Sequence, residues 1–261
     1  MTAGDATASG PDPPPGSPYA FVSASCSHVG MVRRVNEDAC LDRPDLGLWA
    51  VADGMGGHDA GDVASRLIVE GLARVPPPTD AAAFLRAVEG ALQEANRALL
   101  AEAARRGPGR IVGSTVVVLI ITGRRFACVW VGDSRLYLFR DGRLRQISRD
   151  HSRVQDLVDR GLLSPEAARD HPQANVVTRA VGAAERLDLE TREGPVLPED
   201  VFLLCSDGLT KMLTDDEIAE ALGRTPTAEA ARVLTDLALA RGAVDNVTVV
   251  AVRCRERERA R

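Results

Sequence analysis

Four short apolar runs in this chain each meet an aspartate at one end, and that pattern limits what the chain can become. "LWAVADG" runs into Asp53, "ACVWVGDS" into Asp133 and "FLLCSDG" into Asp207, while "VDNVTVVAV" leads off from Asp245. Short β-branched runs bounded by Gly, Asp or Ser read as strands, and uninterrupted apolar runs read as strands buried on both faces. A further acidic pair, Glu37-Asp38, sits in "GMVRRVNEDA". Any one of these aspartates alone is an ordinary turn or cap residue. Several brought together are a different matter. A buried ion carries a penalty of several kcal/mol even after relaxation, against a net domain stability of ~5–15 kcal/mol. Clustered carboxylates therefore need positive charge among them, and divalent cations supply it most directly.

The donor set selects the metal. The candidate ligands are oxygens, with no H-E-x-x-H and no cysteine pair, so hard Mg²⁺ or Mn²⁺ fits and zinc does not. Two such ions sharing one carboxylate would activate water for in-line attack at phosphorus. The glycines of "DGMGGHDAG" let the backbone come close, so that the Gly54 carbonyl can serve as a ligand. A dinucleotide loop would need Gly where Asp59 stands, and the lone lysine, Lys211, is far from any P-loop pattern. Arg33, four residues before Glu37, could grip a phosphoryl group through two parallel bonds, with Arg34 as competitor. His58 is a candidate general acid for a leaving alkoxide. His28, His151 and His171 read as structural.

The remaining elements imply the architecture. Beside the runs at Asp53, Asp133, Asp207 and Asp245, "STVVVLIITG" is a further strand-type run, and "RLYLFRDGRLRQIS" alternates around Asp141-Gly142, a hairpin signal. Helices are expected from Asp59 to Val75 and from Thr79 to about Arg106, the latter with Phe84, Leu85, Val88, Leu92, Ala95 and Leu99 on one stripe. Thr214 with Glu217 forms a capping box, Thr227 opens a helix that Gly242 can end, Ser152 with Gln155 caps a short helix, and Ser164-Pro165 starts another. Hairpins outnumber β-α-β alternation. The expectation is an α+β fold of antiparallel sheets packed face to face, with helices on the outer faces.

A chain of 261 residues suits one large domain. Residues 1–18, rich in Pro, Gly, Ala and Ser, are expected to be a disordered tail, 19–254 the folded domain, and 255–261 a charged tail. The net charge of −5 argues against a nucleic-acid partner. Five scattered cysteines without a C-x-x-C pair, no apolar run of membrane-spanning length and no secretory leader point to a soluble, cytoplasmic protein; a monomer is expected, with the oligomeric state open. Cys205 lacks the C-x5-R loop of cysteine phosphatases and reads as core.

In order along the chain, "GMVRRVNED", "VADGMGGH", "GST", "VGDSRLYLFRDG", "RDHS", "NVVTRAVG", "LLCSDGL" and "DNVTVV" resemble the metal-dependent serine/threonine protein phosphatases of the PPM (type 2C) family in its bacterial form. The resemblance covers about Ser23 to Arg253. It implies a four-layer α/β/β/α sandwich, with two central antiparallel sheets flanked by helices. It implies hydrolysis of phosphoserine and phosphothreonine esters on proteins with two Mn²⁺ or Mg²⁺ ions. By motif position, Asp53 resembles the carboxylate that bridges the two metals. Asp207 and Asp245 resemble ligands of the first, and Glu37 and the Gly54 carbonyl ligands of the second. Asp133 with Asp207 is similar to the pair holding a third, weaker metal. Asp38 resembles the residue that orients the attacking water, Arg33 the phosphate-binding arginine and His58 the proton donor. "GST" stands where many members have Gly-Thr-Thr, and residues 152–175 resemble the flap beside the active site. The partners implied are phosphorylated proteins and, by analogy, a Ser/Thr kinase whose work is reversed. Two rivals compete: a metal-free docking relative, which has no reason to cluster like charges, and a two-metal nuclease or phosphodiesterase, which this chain's lack of a basic tract disfavours.

Overall fold

The computed structural model describes residues 14, 17–56, 60–77, 79–169 and 171–257. Among them, eleven strands form two antiparallel sheets. In one sheet the order is β1 (Tyr19–His28), β11 (Val247–Glu256), β10 (Val201–Cys205), β7 (Arg135–Arg140) and β8 (Arg143–Gln146). In the other it is β2 (Asp38–Arg43), β3 (Leu48–Met55), β5 (Val116–Thr122), β6 (Arg125–Val131) and β9 (Glu190–Pro195), with the two-residue β4 (Gly113–Ser114) paired to β3.

Side-chain alternation sorts the core into three slabs. In β3, Trp49 and Val51 point between the sheets and meet Leu136, Phe202, Leu204 and Val250. Leu48, Ala50 and Ala52 point the other way, onto Ile68 and Leu72 of α1 (Gly61–Ala73) and Phe84, Val88 and Leu92 of α2 (Ala81–Arg106). On the far side, Val201, Leu203, Val249 and Ala251 pack against Leu209 of α5 (Asp207–Thr210), Ile218 of α6 (Asp215–Arg224) and Leu234 of α7 (Thr227–Ala240). This is the expected α/β/β/α arrangement. The central strands are apolar on both faces because each face has its own layer to bury against.

Local signals resolve as anticipated in several places. Asp141 and Gly142 both have positive φ, 51° and 72°, as a two-residue hairpin turn between right-twisted strands requires. The Thr214–Glu217 capping box is complete, and the Ser152 Oγ accepts from Gln155 N–H. Other boundaries shift. Asp80, not Thr79, caps α2, accepting from Ala83 N–H at 2.7 Å. The expected helix start at Asp59 lies outside the described residues, as does most of the 1–18 tail. At the other end β11 runs on through Arg255 and Glu256, which pair with Ala20 and Tyr19, so two residues expected in the charged tail are strand. The 152–175 segment carries α3 (Arg153–Asp159) and α4 (Pro165–Arg169). Its two ends are tied together where Arg153 N–H donates to Val176 O and Thr178 N–H to His151 O, both at 2.8 Å.

Candidate active site

Strand parity carries the acids to one end of the sandwich. Asp53 continues the Trp49–Val51 face of β3, so its carboxylate lies between the sheets. Asp38 opens β2 directly opposite it in the ladder. Asp133 follows β6, Asp207 follows β10 as the first residue of α5, and Asp245 precedes β11. The two sheets thus contribute from opposite sides. Asp53 feels the charges of Asp38, Asp207, Asp133 and Asp245, and burial with that repulsion holds its pKa well above the usual carboxylate range. Burial pushes Asp38 and Asp133 up to about 7 and raises Asp207 and Glu37 as well. Asp245 is the exception. Burial works against its charge, but Lys211 and Arg33 hold it below the ordinary value.

Several hydrogen bonds fix the acids. Ser206 Oγ donates to Asp38 Oδ2 at 2.8 Å and itself accepts from Thr248 N–H. The Asp53 carbonyl accepts from Thr115 N–H at 2.8 Å and Ser114 Oγ at 2.9 Å, so the "GST" stretch anchors the strand end that bears Asp53. Asn246 gathers the loop before β2: its Nδ2 donates to Val29 O and Val35 O, and its Oδ1 accepts from Glu37 N–H. That loop carries Arg33, whose Nε lies 2.9 Å from Asp245 Oδ1. Close backbone approach is built in at Gly54, where a Cβ would collide with the carbonyls of Gly61 and Glu37. A Cβ on Gly61 would in turn strike the Glu37 carboxyl. Glycine at both positions is what lets β3, the start of α1 and Glu37 meet.

The donor set fits hard cations. Asp38 Oδ1, Asp133 Oδ1 and Asp207 Oδ1 are buried without a hydrogen-bond partner, a costly state that a coordinated ion would relieve. Six carboxylates, counting Glu37, face Arg33 and Lys211, with Arg135 also acting on Asp207. The surplus of acids over cations is what divalent ions would offset. As the side chains stand, however, no group of three acidic, histidine or cysteine residues among those described is drawn together tightly enough to hold a metal. Asp207 and Asp245 turn instead to Lys211 Nζ, at 2.6 and 3.1 Å.

Of the residues singled out from the sequence, Glu37, Asp38, Asp53, Gly54, Asp133, Asp207, Asp245 and Arg33 come together here, whereas His58 lies outside the described residues. Arg34 appears in none of the site's hydrogen bonds or ion pairs described above. His151 has a structural role: its Nδ1 accepts from Gly132 N–H, its Nε2 faces Glu190 Oε1 at 3.0 Å, and its ring stacks on Trp130. Cys205 is fully buried, its thiol pushed up to about 12 by burial, which leaves no nucleophile there. The sequence reading missed Asn246, Ser206 and Lys211 as parts of the site. It also missed Arg169 of α4, whose guanidinium donates to Thr210 O and Leu213 O and docks the 152–175 segment against α5.

Residues 25–239 match the family described as protein phosphatase 2C. The chain is 41% identical over 228 residues to the serine/threonine protein phosphatase PstP of Mycobacterium tuberculosis, an alignment that takes in 87% of this chain. It spans 44% of that relative's length. Among solved structures, PppA, a key regulatory component of T6SS in Pseudomonas aeruginosa, superposes with a TM-score of 0.84 at 50% identity, covering 90% of this chain and 97% of that one. The catalytic domain of PstP in complex with two manganese ions superposes with a TM-score of 0.78 at 39% identity, covering 91% and 99%.

Proposed function

The chain belongs to the protein phosphatase 2C family, and from that premise we propose that it hydrolyses phosphoserine and phosphothreonine esters on proteins. The observation that carries this reading is the set of buried, unpartnered carboxylate oxygens from Asp38, Asp133 and Asp207 beside Asp53. Glu37, Asp53, the Gly54 carbonyl, Asp207 and Asp245 would hold two Mn²⁺ or Mg²⁺ ions, and Asp133 with Asp207 a third. Bound there, the ions supply charge neutralisation at the phosphoryl oxygens and lower the pKa of the attacking water.

The chain's own groups do the rest. Arg33, half-exposed at the rim and bonded to Asp245 through Nε and Nη2, would turn those two parallel N–H donors to the phosphoryl oxygens and fix the ester for in-line attack. Asp38, pinned through Oδ2 by Ser206, keeps Oδ1 free to orient the water and accept its proton. His58, by its position in the motif, delivers a proton to the departing seryl or threonyl oxygen. No side chain acts as nucleophile, so no phosphoenzyme forms. The substrate's phosphate implies a Ser/Thr kinase upstream. Five free cysteines suit a reducing compartment, and no described helix is long and apolar enough to cross a membrane.

The test is hydrolysis of a phosphothreonine peptide and of matched monoester and diester substrates in Mn²⁺. Monoester turnover that stops in excess EDTA, without a trapped phosphoenzyme, is expected. Preference for the diester, or full turnover in EDTA, contradicts the reading.

A further inference from the structure

Lys211 is the only lysine in a chain whose other basic residues are arginines. It follows α5 by one residue, one helical turn after Asp207. Its side chain is only 25% exposed, and its Nζ spans Asp207 Oδ2 and Asp245 Oδ2. Those two acids come from segments more than 30 residues apart and meet through this ammonium. On the other side of Asp207 its Oδ1 is buried without a partner, so the carboxylate is only half satisfied.

We infer that Lys211 is a resident counter-cation that, with Arg33 on the other side of Asp245, holds Asp207 and Asp245 together until a divalent ion arrives and is then expelled, so that it lowers the metal affinity of that side of the site. The inference rests on the two-metal reading above. Its chemistry suits lysine. An ammonium is a single point charge on a flexible four-carbon stem, whereas an arginine fork would lock onto a carboxylate through two bonds and resist displacement. The base of the stem is held, because Arg169 bonds the carbonyls of Thr210 and Leu213 on either side of it. Only the side chain need swing. Lys211 neutralises only part of the local excess, so a divalent ion is favoured there but must break both Lys211 pairs and compete with the Arg33 fork for Asp245. By linkage, whatever Lys211 gains from the acids weakens the metal by the same factor.

The test compares chelator-stripped wild-type protein with the Lys211→Met variant by calorimetric titration with Mn²⁺ and by thermal melts with and without the ion. The expected result is a Kd about tenfold tighter in the variant, together with a lower Tm for the stripped variant that Mn²⁺ restores. A purely structural lysine would lower the Tm without tightening the Kd, so a folded variant with an unchanged or weaker Kd overturns the inference. Absence of any Mn²⁺ binding by wild type would sink the metal reading and this inference with it. Should the variant fail to fold, wild-type protein labelled with ¹⁵N-lysine still decides, since its only side-chain ammonium resonance belongs to Lys211. Saturation with Mg²⁺ should move that resonance to the position of a solvated lysine, and a resonance unmoved at saturation would refute the expulsion.

Discussion

Asp38 stands directly opposite Asp53 across the β2–β3 ladder, two carboxylates on one face of adjacent strands. Like charges directly opposite in an antiparallel pair are destabilising, and here Asp38 is buried and Asp53 only partly open to solvent. The variant Asp53→Asn should therefore separate stability from function. Stripped of metal and at alkaline pH, where Asp38 and Asp53 are driven to ionise together, it should melt roughly 2–4 °C higher for each kcal/mol of repulsion relieved. With Mn²⁺ present, its phosphatase activity should fall by more than ~100-fold. A stripped variant that melts below wild type would contradict the repulsion.

Stability of the stripped protein should depend on pH in an unusual direction. Asp38 and Asp133 have folded pKa values near 7 against 3.8 for the free carboxylate. Between those values the folded state binds more protons than the unfolded one, so the contribution is fully present below the unfolded pKa and is lost as pH rises through the folded one. The Tm of stripped protein should drop from about pH 5 to about pH 8, and saturating Mg²⁺ should remove most of that drop. Melting curves across this window, with and without the ion, check both halves. A stripped protein that grows more stable toward pH 8 would show these carboxylates to be normal.

Arg33 holds Asp245 from a half-exposed position, so its removal should cost binding rather than folding. For Arg33→Ala, KM toward a phosphothreonine peptide should rise about 10–100-fold with a smaller change in kcat, the range for losing charge-assisted hydrogen bonds. Steady-state kinetics in saturating Mn²⁺ measure it. Unchanged kinetics would transfer the phosphate contact to Arg34 or to neither.

Asn246 is almost fully buried and makes three hydrogen bonds to the Val29–Glu37 loop. Asn246→Ala should lose about 2–3 kcal/mol of stability and lower kcat/KM, because the loop that bears Arg33 and Glu37 is no longer tied to β11. Asn246→Asp keeps the acceptor for Glu37 N–H but loses both donors, so it should retain part of neither loop carbonyl contact. Chemical denaturation of both variants, with activity measured alongside, separates the two halves of the clamp.

Much of this was legible in the sequence because central strands and their terminal acids are local signals. β3, β5, β6, β10 and β11 are largely apolar on both faces, and all but β5 meet a site aspartate at one end. The edge strands β1, β2 and β9 were not recognised. They carry polar residues for good reason: Asp42 of β2 accepts from Trp49 Nε1 and Ser23 Oγ, and β9 is largely exposed. The supporting residues of the site escaped because their partners are remote. Ser206 meets Asp38 across 168 positions and Asn246 meets Glu37 across 209, distances no periodicity reports. Lys211 offered a usable clue in its four-residue spacing from Asp207, which sets the two side chains on one side of a helical turn.

The origin of the acids in both layers has a mechanical corollary. Asp38 and Asp53 belong to strands of one sheet, and Asp207 and Asp245 flank β10 and β11 of the other, so an ion seated among them would act as a rivet through the open end of the sandwich. Sliding or prying the sheets apart would then require pulling the rivet, and loading it should slow amide exchange in both sheets at once rather than in the loops alone.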